Sequence, residues 1–244
     1  NIRDHLFVMN GVINDVYNGK GEDAHISVYD IVKCFDKMWL NEVMNDLYDS
    51  NMKNDQLSLL HEMNKLSKVS IKTSSGMTKR MEMEEIVLQG GVWSPLECSV
   101  QMDTLGRENL IETEDLYKYK NCVSIPALAM IDDVATISKC GPESIIMNAK
   151  INYKIESKRL ELGTKKCSNM HIGKNKDNCP TNIKVHNQNM NVSENEKYLG
   201  DWVTTDGLIN KNLKERENKG IGMVMQTIAT VSYTHLTLPT TPYV

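Results

Sequence analysis

The chain has 244 residues, of which 40% are hydrophobic and 25% charged, with 28 Lys and Arg against 32 Asp and Glu. This composition is typical of one large or two small globular domains, and it excludes fibrous and disordered proteins. No run approaches the ~18 uninterrupted apolar residues of a transmembrane helix, and the six scattered cysteines match neither a zinc site nor a small disulfide framework, which favours reduced thiols inside a cell.

The net charge of -4 is distributed unevenly along the chain. Residues 1–138 carry 13 Lys and Arg against 22 Asp and Glu, a balance of -9. Residues 139–220 carry 15 against 10, a balance of +5, and residues 221–244 carry none of these four residue types. An acidic first half beside a basic second half is compatible with an acidic catalytic floor and a basic binding wall, and equally with chance.

The first third of the chain predicts three helices and one buried strand. Apolar residues recur at helical spacing over 4–17, behind Asp4 as an N-cap. A Gly-Lys-Gly turn follows, and residues 26–31 predict a buried strand that contains an acid near its end. Helical spacing then predicts a helix that begins near Asp36 and a second over about 53–66, followed by β-like runs at 68–73 and 80–88.

The clearest start signal of any helix lies at Ser94. Ser is a favoured N-cap, Pro95 fits the first helical position, and Glu97 completes a capping box. Farther along, residues 123–138 form two apolar runs separated by Asp132-Asp133. This pattern predicts a buried β-hairpin with acids at its tip.

The last third of the chain mixes helices and short strands. A helix is predicted from Pro142 to about residue 160, with its inward face formed by Ile145, Ile146, Ala149, Tyr153 and Leu160. Short strands are predicted near 167–172, 183–186 and 197–205, the last closed by an Asp-Gly turn. A helix rich in Lys and Glu follows over about 210–229.

Both ends of the sequence are atypical. The chain begins Asn-Ile-Arg-Asp, without an initiator Met or a signal peptide, and we therefore expect a fragment. Residues 231–244 contain four Thr, two Pro and no charged group, and they resemble a translated sequencing adapter. We expect a non-native tail there; the alternative is a genuine disordered terminus.

Three acids at predicted strand ends are the candidate catalytic groups. Asp30 lies at the end of an apolar strand, while Asp132 and Asp133 interrupt the apolar hairpin. Unpaired buried charge is costly, so acids in such places favour a bound cation. Three carboxylates can hold two divalent ions for in-line displacement at phosphorus, and oxygen ligands suit Mg²⁺. The alternative is that they are ordinary solvated turn acids.

A glycine-rich loop precedes the Ser94 helix. Gln89 is followed by Gly90 and Gly91, and glycines let a backbone approach a ligand closely while Gln can hydrogen-bond a base or sugar edge. The alternative is an ordinary strand-to-helix turn.

The order of these features resembles the palm of a reverse transcriptase, particularly of the non-LTR retrotransposon and group II intron type. Five segments resemble its successive motifs: Asp-Ile-Val-Lys-Cys-Phe-Asp (30–36), Leu-Gln-Gly-Gly-Val-Trp-Ser-Pro (88–95), Ala-Met-Ile-Asp-Asp (129–133), Leu-Glu-Leu-Gly-Thr-Lys-Lys-Cys (160–167) and Tyr-Leu-Gly (198–200). Arg3-Asp4 and the helix behind them resemble the end of the fingers segment. Two positions depart from the family pattern: Met130 replaces an aromatic residue, and Cys34 replaces a small one.

The resemblance implies a role for each site residue. Asp30 and Asp132 would hold two Mg²⁺ ions, supported by Asp133. Lys166, or Lys165 if the register differs, would approach the leaving pyrophosphate. The remaining implied roles are exclusion of a 2′-hydroxyl by Phe35, template and nucleotide binding by Gln89, Gly90 and Arg3, and a primer grip at Tyr198, Leu199 and Gly200.

The resemblance also implies a fold, a domain plan and a function. The fold would be α+β, an antiparallel sheet with helices packed on one face, and the plan would be 1–24 end of fingers, 25–207 palm, 208–230 start of the thumb helix and 231–244 tail. The function would be RNA-templated DNA synthesis, inside a cell in nucleus or cytoplasm, with an RNA template, a DNA primer and deoxynucleoside triphosphates as partners and no membrane. Further fingers, thumb and endonuclease parts would be missing, so we expect the isolated chain to be inactive.

Two other functions remain open. A decayed or repurposed palm would bind RNA without catalysis, although the sequence keeps all three acids. Another two-metal palm enzyme, such as a nucleotide cyclase, would leave the Gln-Gly-Gly segment without a role.

Overall fold

The computed structural model describes residues 2–19, 22–65, 68–82, 87, 90–107, 116–120, 122–139, 142–174, 182–207 and 210–236. The helices within these ranges are α1 (Ile2–Tyr17), α2 (Cys34–Lys37), α3 (Leu40–Asp49), α4 (Asp55–Lys65), α5 (Ser94–Arg107), α6 (Pro142–Ser157) and α7 (Asn210–Leu236). No helix in the described part of the chain is both long enough and apolar enough to cross a membrane.

Five strands form the main sheet, in the order β13 (Asn191–Val192), β10 (Ser168–Ile172), β1 (Ala24–Asp30), β9 (Asp133–Lys139) and β8 (Ala127–Met130). The central strand β1 pairs antiparallel with both β9 and β10, and only β13 joins in parallel. The residues of β1 are buried from Ala24 to Tyr29, and Asp30 lies at the end of this strand, where it is partly exposed.

The other strands form two-stranded ladders. They are β2 (Lys68–Val69) with β5 (Met81–Glu82), β3 (Lys72–Thr73) with β4 (Gly76–Met77), β6 (Lys118–Tyr119) with β7 (Val123–Ser124), β11 (Lys184–Val185) with β12 (Gln188–Asn189), and β14 (Asn195–Tyr198) with β15 (Asp201–Thr204). The predicted runs at 68–73 and 80–88 therefore contain only two-residue strands where the chain is described.

The sheet has a hydrophobic cluster on each face. On one face, Ile26 and Val28 of β1 pack with Met9, Val12 and other buried residues of α1. On the other, Tyr29 belongs to a second cluster formed with α3, α5 and α6. The predicted α+β fold with an antiparallel sheet is confirmed, but helices lie on both faces rather than one, because α1 covers the second apolar face.

The predicted inward face of α6 is wrong. Ile145, Ile146 and Tyr153 are 42%, 46% and 71% exposed, and Ala149 is exposed as well. The helix instead buries Ser144, Met147, Asn148, Ile151 and Ile155. The reason is that α6 covers a part of the sheet that contains polar side chains. A prediction that chooses the buried face of the helix from apolar residues alone therefore chooses the wrong face.

The polar contact between α6 and the sheet is made by Asn148. Its side-chain amide donates to Ser27 Oγ at 3.1 Å and to the Ser144 carbonyl at 2.7 Å, and its carbonyl oxygen accepts from the Tyr29 hydroxyl. Tyr29 also lies 3.3 Å from Thr136 Oγ1. These bonds satisfy side chains that would otherwise be buried without partners.

Other predicted boundaries differ in smaller ways. The helix expected from Asp36 is divided into α2 and α3 at Met38 and Trp39, both of which have extended backbone. The strand expected over 197–205 is a hairpin, because Leu199 and Gly200 both adopt positive φ (49° and 87°) and reverse the chain. Helix α6 ends at Ser157, and α7 continues to Leu236, past the predicted end near 229.

Candidate active site

The three candidate acids lie together at one end of the sheet. Asp30 is the last residue of β1 and is paired in register with Asp133, the first residue of β9. Asp133 is also paired with Met130 of β8, so Ile131 and Asp132 form the two-residue tip between those strands. The predicted hairpin with acids at its tip is confirmed.

The hairpin tip holds a strained backbone. Ile131 has a φ of 58°, in the left-handed region, where β-branched side chains are rarely found. A two-residue turn with positive φ at its first position normally takes Gly there. Strain of this kind, held beside Asp132, occurs most often at functional sites.

The Asp133 carboxyl is affected by the two neighbouring acids. Burial raises its pKa above the usual value, and the charges of Asp132 and Asp30 raise it further. Like charges in proximity disfavour ionisation of this carboxyl. A cation bound among them would relieve this repulsion.

One segment, residues 160–167, packs directly on the end of β1. The Gly163 amide donates to the Asp30 carbonyl at 2.8 Å, and the Val32 amide donates to the Glu161 carbonyl at 2.8 Å. Ile31 and Leu162 form a single antiparallel bridge between these bonds. The Lys-bearing segment therefore behaves as an extra strand beside the acid.

Within this segment, Lys166 is directed at Asp30. Its ammonium nitrogen Nζ donates to Asp30 Oδ1 at 3.1 Å. The two side chains are 73% and 36% exposed, so the ion pair is open to solvent. Lys165, the alternative in the sequence argument, instead uses its carbonyl to accept from Asn191 Nδ2 at 3.0 Å.

A cleft of about 740 Å³ opens in front of these residues. Asp30 and Asp132 line it with Phe35, whose side chain is half-buried against the core cluster. Basic groups share its wall: Lys33, Lys165, Lys166 and His186. The cleft thus combines carboxylates, ammonium groups and one aromatic ring, a combination suited to a phosphate-bearing ligand with a metal ion.

The remaining predicted site residues lie elsewhere. Arg3 is exposed on the first turn of α1, and Gly90 is exposed in a turn with a φ of 86°; neither lines the cleft. Gln89 lies outside the described residues. Tyr198 is only 1% exposed.

The hydroxyl of Tyr198 is bonded inside the fold. It donates to the Leu128 carbonyl at 3.2 Å and lies 3.3 Å from His5 Nδ1. Burial raises the pKa of this phenol, and the nearby charge of Asp133 adds to the effect. The part of the 198–200 turn that solvent reaches is therefore Leu199 and Gly200.

Sequence reasoning missed two residues of the site. A Cβ on Gly163 would lie 2.8 Å from Asp30 Oδ2, so a larger residue at 163 would displace the carboxylate of the acid. The single glycine of the 160–167 segment was a usable signal for this. His186 accepts from the Leu162 amide at 3.3 Å and contacts Glu156 at 3.1 Å, and no sequence pattern marks it.

The donor set fits a hard divalent cation but is incomplete without further ligands. Asp30 and Asp132 offer carboxylate oxygens to the same cleft, which is the chemistry that Mg²⁺ prefers. Within the described residues, however, no group of three or more His, Cys, Asp or Glu side chains is arranged to hold a metal ion. Waters or substrate phosphates would have to supply the other ligands.

Comparison with solved structures identifies the same fold in telomerases. The chain matches apo telomerase from Candida tropicalis truncated from its C-terminal domain, with a TM-score of 0.57 and 13% identity over 84% of this chain and 38% of that one. It also matches telomerase from Candida albicans in complex with the TWJ fragment of telomeric RNA, with a TM-score of 0.51 and 14% identity over 86% and 34% of the two chains. At such identities the likeness shows the fold alone.

The chain corresponds to only part of a telomerase, and its own family is shown by its sequence. The chain spans about a third of the length of these telomerase chains, 38% and 34%. No curated protein sequence matches it significantly. The family model for reverse transcriptase (RNA-dependent DNA polymerase) matches residues 3–203. Because that match covers most of its sequence, the chain belongs to the reverse transcriptase (RNA-dependent DNA polymerase) family.

Proposed function

We propose that this chain is the palm of an RNA-directed DNA polymerase encoded by a retroelement of the non-LTR or group II intron type. One observation carries the proposal: Asp30 at the end of β1 and Asp132 in the turn between β8 and β9 line the same cleft, and Lys166 contacts Asp30 at 3.1 Å. Membership of the family and the order of the five motifs support it. The retroelement type rests on the motifs alone.

Asp30 and Asp132 would hold two Mg²⁺ ions, with Asp133 at the edge of the site. When bound, the ions would activate the primer 3′-hydroxyl and stabilise the leaving phosphate oxygen. Mg²⁺ keeps several waters and commonly takes phosphate oxygens from substrate, so two protein carboxylates are a sufficient anchor. Burial, and then the charges of Asp132 and Asp30, raise the pKa of Asp133, so a cation held in this site would lie among acids that favour its charge.

Lys166 would serve the triphosphate end of the nucleotide. Its ammonium group neutralises Asp30 while no cation is there, and its high exposure leaves it able to turn toward a pyrophosphate once a cation takes over that charge. Phe35 would lie under the incoming sugar and exclude a 2′-hydroxyl. Its half-buried ring at the cleft wall supports that position.

The proposed partners are an RNA template, a DNA primer and deoxynucleoside triphosphates. The surplus of basic residues in 139–220 would grip the duplex through its phosphates. We assign 1–24 to the end of the fingers, 25–207 to the palm, 208–230 to the start of the thumb helix and 231–244 to a non-native tail. The family match, which ends at residue 203, is compatible with that palm boundary.

The test replaces Asp132 by Asn, which keeps the size of the side chain and removes its charge. In the full-length polymerase that contains this chain, extension of a DNA primer on an RNA template should fall by about 100-fold or more, since a metal ligand contributes several kcal/mol to the transition state. In the chain alone, the affinity for Mn²⁺, measured by calorimetry, should fall as well. RNA binding should stay within about twofold, because phosphate contacts and not the acids dominate it.

The control is Asp49→Asn, at the exposed end of α3. It should leave extension and Mn²⁺ binding as they were. Equal extension by the Asp132 variant and the unmodified protein would refute the catalytic assignment. Mn²⁺ and RNA binding without any extension by the unmodified polymerase would instead favour a palm that binds RNA without catalysis.

A further inference from the structure

Two cysteines that are far apart in sequence meet beside the cleft. The sulfur atoms of Cys34 and Cys98 are 3.8 Å apart, although 64 positions separate the residues. Cys34 is the first residue of α2 and lies between the cleft lining and the core, and Cys98 is in the second turn of α5. Both are buried, with exposures of 3% and 0%.

The other described thiols have different surroundings. Cys122 is exposed, and Cys167 is buried with its thiol directed at the Asp30 carbonyl at 3.9 Å. Burial alone would be explained by the ordinary use of Cys as a small apolar residue. That explanation does not account for two sulfurs in direct contact with each other.

We propose that Cys34 and Cys98 are a reversible oxidation site, a dithiol that closes to a disulfide and joins the β1–α2 connection to α5. The sulfurs would have to approach by about 1.8 Å to reach the length of an S–S bond. We expect the short helix α2 to make this movement. Its N-cap residue Lys33 has a left-handed backbone conformation and belongs to no helix or strand. A helix of four residues on a loop can shift this far more readily than α5 can.

The reaction requires a two-electron oxidant such as a diazenedicarboxamide (diamide). One cysteine sulfur adds to the N=N bond, and the second sulfur then attacks the first and releases the hydrazine. Two thiols lose two electrons and two protons, one S–S bond forms, and the diazene takes up both protons and both electrons. A thiol reductant reverses the change by exchange.

The surroundings predict slow oxidation. The hydrogen bond with Cys34 and burial raise the pKa of the Cys98 thiol, and the charge of Asp132 adds to this. Cys98 therefore remains protonated at neutral pH, and a thiol reacts only through its thiolate. Because Cys34 lines the cleft and Cys98 does not, a small uncharged oxidant in the cleft reaches Cys34 before Cys98.

The disulfide would fix Phe35, the neighbour of Cys34, relative to α5. This consequence follows from chain connectivity and holds whether or not the proposed polymerase function is correct. If that function is correct, oxidation would immobilise one wall of the nucleotide site.

The test is peptide mapping of the reduced, folded chain after treatment with diamide. Remaining thiols are alkylated under denaturing conditions, and the protein is cleaved with trypsin without reduction. We expect the peptide 34–37 linked to the peptide 81–107, with a mass about 2 Da below the sum of the two free peptides, and its loss on adding dithiothreitol. Cys34→Ser and Cys98→Ser should each abolish the linked peptide, while Cys122→Ser and Cys167→Ser should retain it.

Two results would overturn the proposal. The first is recovery of both Cys34 and Cys98 in alkylated form after diamide treatment continued until the alkylation pattern no longer changes, long after the exposed Cys122 has reacted. The second is an equal yield of the linked peptide from chain oxidised in a denaturant, which would show that the fold does not bring the thiols together. Circular dichroism of each variant before oxidation checks its folding, and Cys34→Ala and Cys98→Ala replace any Ser variant that fails this check.

Discussion

Asp30 is held by neighbouring groups on both its main chain and its side chain. The Gly163 amide binds its carbonyl at 2.8 Å, and Lys166 Nζ binds its carboxylate at 3.1 Å. Both partners come from the same short segment, so the position of the acid depends on how closely that segment can approach. The segment can come this close because residue 163 is a glycine, which has no Cβ to meet the Asp30 carboxylate.

Replacing Gly163 by Ala should therefore displace the Asp30 carboxylate. The added Cβ would lie 2.8 Å from Oδ2 and 3.4 Å from a methyl group of Val32, and the end of the Asp side chain is the atom that can move. We expect weaker Mn²⁺ binding by the chain and about 100-fold slower primer extension by the polymerase, because small misplacements of catalytic groups are costly. The free energy of unfolding should change by only about 1 kcal/mol.

Gly11→Ala is the matched control for this substitution. A Cβ on Gly11 would meet only Tyr119 atoms, at 3.6 Å or more, which is ordinary contact inside helix α1. Both Mn²⁺ binding and extension should be unchanged. A Gly163 variant that behaves like the Gly11 variant would show that the close packing on Asp30 has no role in the site.

At the scale of elements, α6 shows how a partner surface selects the buried face of a helix. Its apolar residues lie on more than one side, and the sheet beneath it presents Ser27, Tyr29 and Thr136. Asn148 hydrogen-bonds Ser27 and Tyr29 and therefore faces inward, which turns Ile145 and Ile146 toward solvent. A hydrogen bond left unmade in a buried layer costs more than an exposed isoleucine does.

The same Ile→Ala substitution at a buried and at an exposed position of α6 tests this orientation. Ile151→Ala removes a side chain that is 2% exposed and should lower the free energy of unfolding by about 2–4 kcal/mol. Ile145→Ala removes one that is 42% exposed and should change it by less than about 1 kcal/mol. Urea denaturation measures both, and a larger loss at position 145 would support the face predicted from periodicity.

For the whole molecule, the dependence of stability on pH should carry the signature of a buried histidine. His25 is fully buried on β1, and neither ring nitrogen has a hydrogen-bond partner within the described part of the chain. Burial lowers its pKa to about 4, and the neighbouring His171 contributes. The carboxylate of Asp23 lies 3.4 Å from His171 Nε2 on that side.

The sign of the effect follows from proton uptake. The unfolded chain binds a proton at position 25 near pH 6.5, whereas the folded chain does so only near pH 4, so stability is lost as the pH falls through this window. We expect His25 to lower the free energy of unfolding by about 2 kcal/mol between pH 7 and pH 5. The raised pKa values of Asp46, Glu97 and Asp133 act in the opposite direction at lower pH.

Urea midpoints at pH 7 and pH 5 separate these contributions. His25→Gln should reduce the difference between the two pH values, while His61→Gln, on helix α4 with a partly exposed ring, should leave it unchanged. An undiminished difference in the His25 variant would show that another group causes the loss.

Local signals were enough to predict several parts of this protein. Ser94 and Pro95 predict the start of α5, which begins at Ser94. The capping box predicted with Glu97 is wrong, because the Ser94 amide donates to the Gly91 carbonyl at 3.3 Å and Glu97 Oε1 accepts from Asn64 at 2.7 Å. Asp30 and the 132–133 pair end apolar runs, so strand patterning alone predicts acids at the end of a sheet. The order of the motifs then identified the family.

The contacts between distant residues emerge only in the packed fold. The register of β1 with β9 places Asp30 opposite Asp133, the packing of segment 160–167 brings Gly163 against the Asp30 carboxylate, and α5 brings Cys98 to Cys34. The buried face of α6 was decided in the same way, by the polar surface beneath it. Each of these contacts joins residues that are distant along the chain, and local periodicity contains no information about the surface that a segment will pack against.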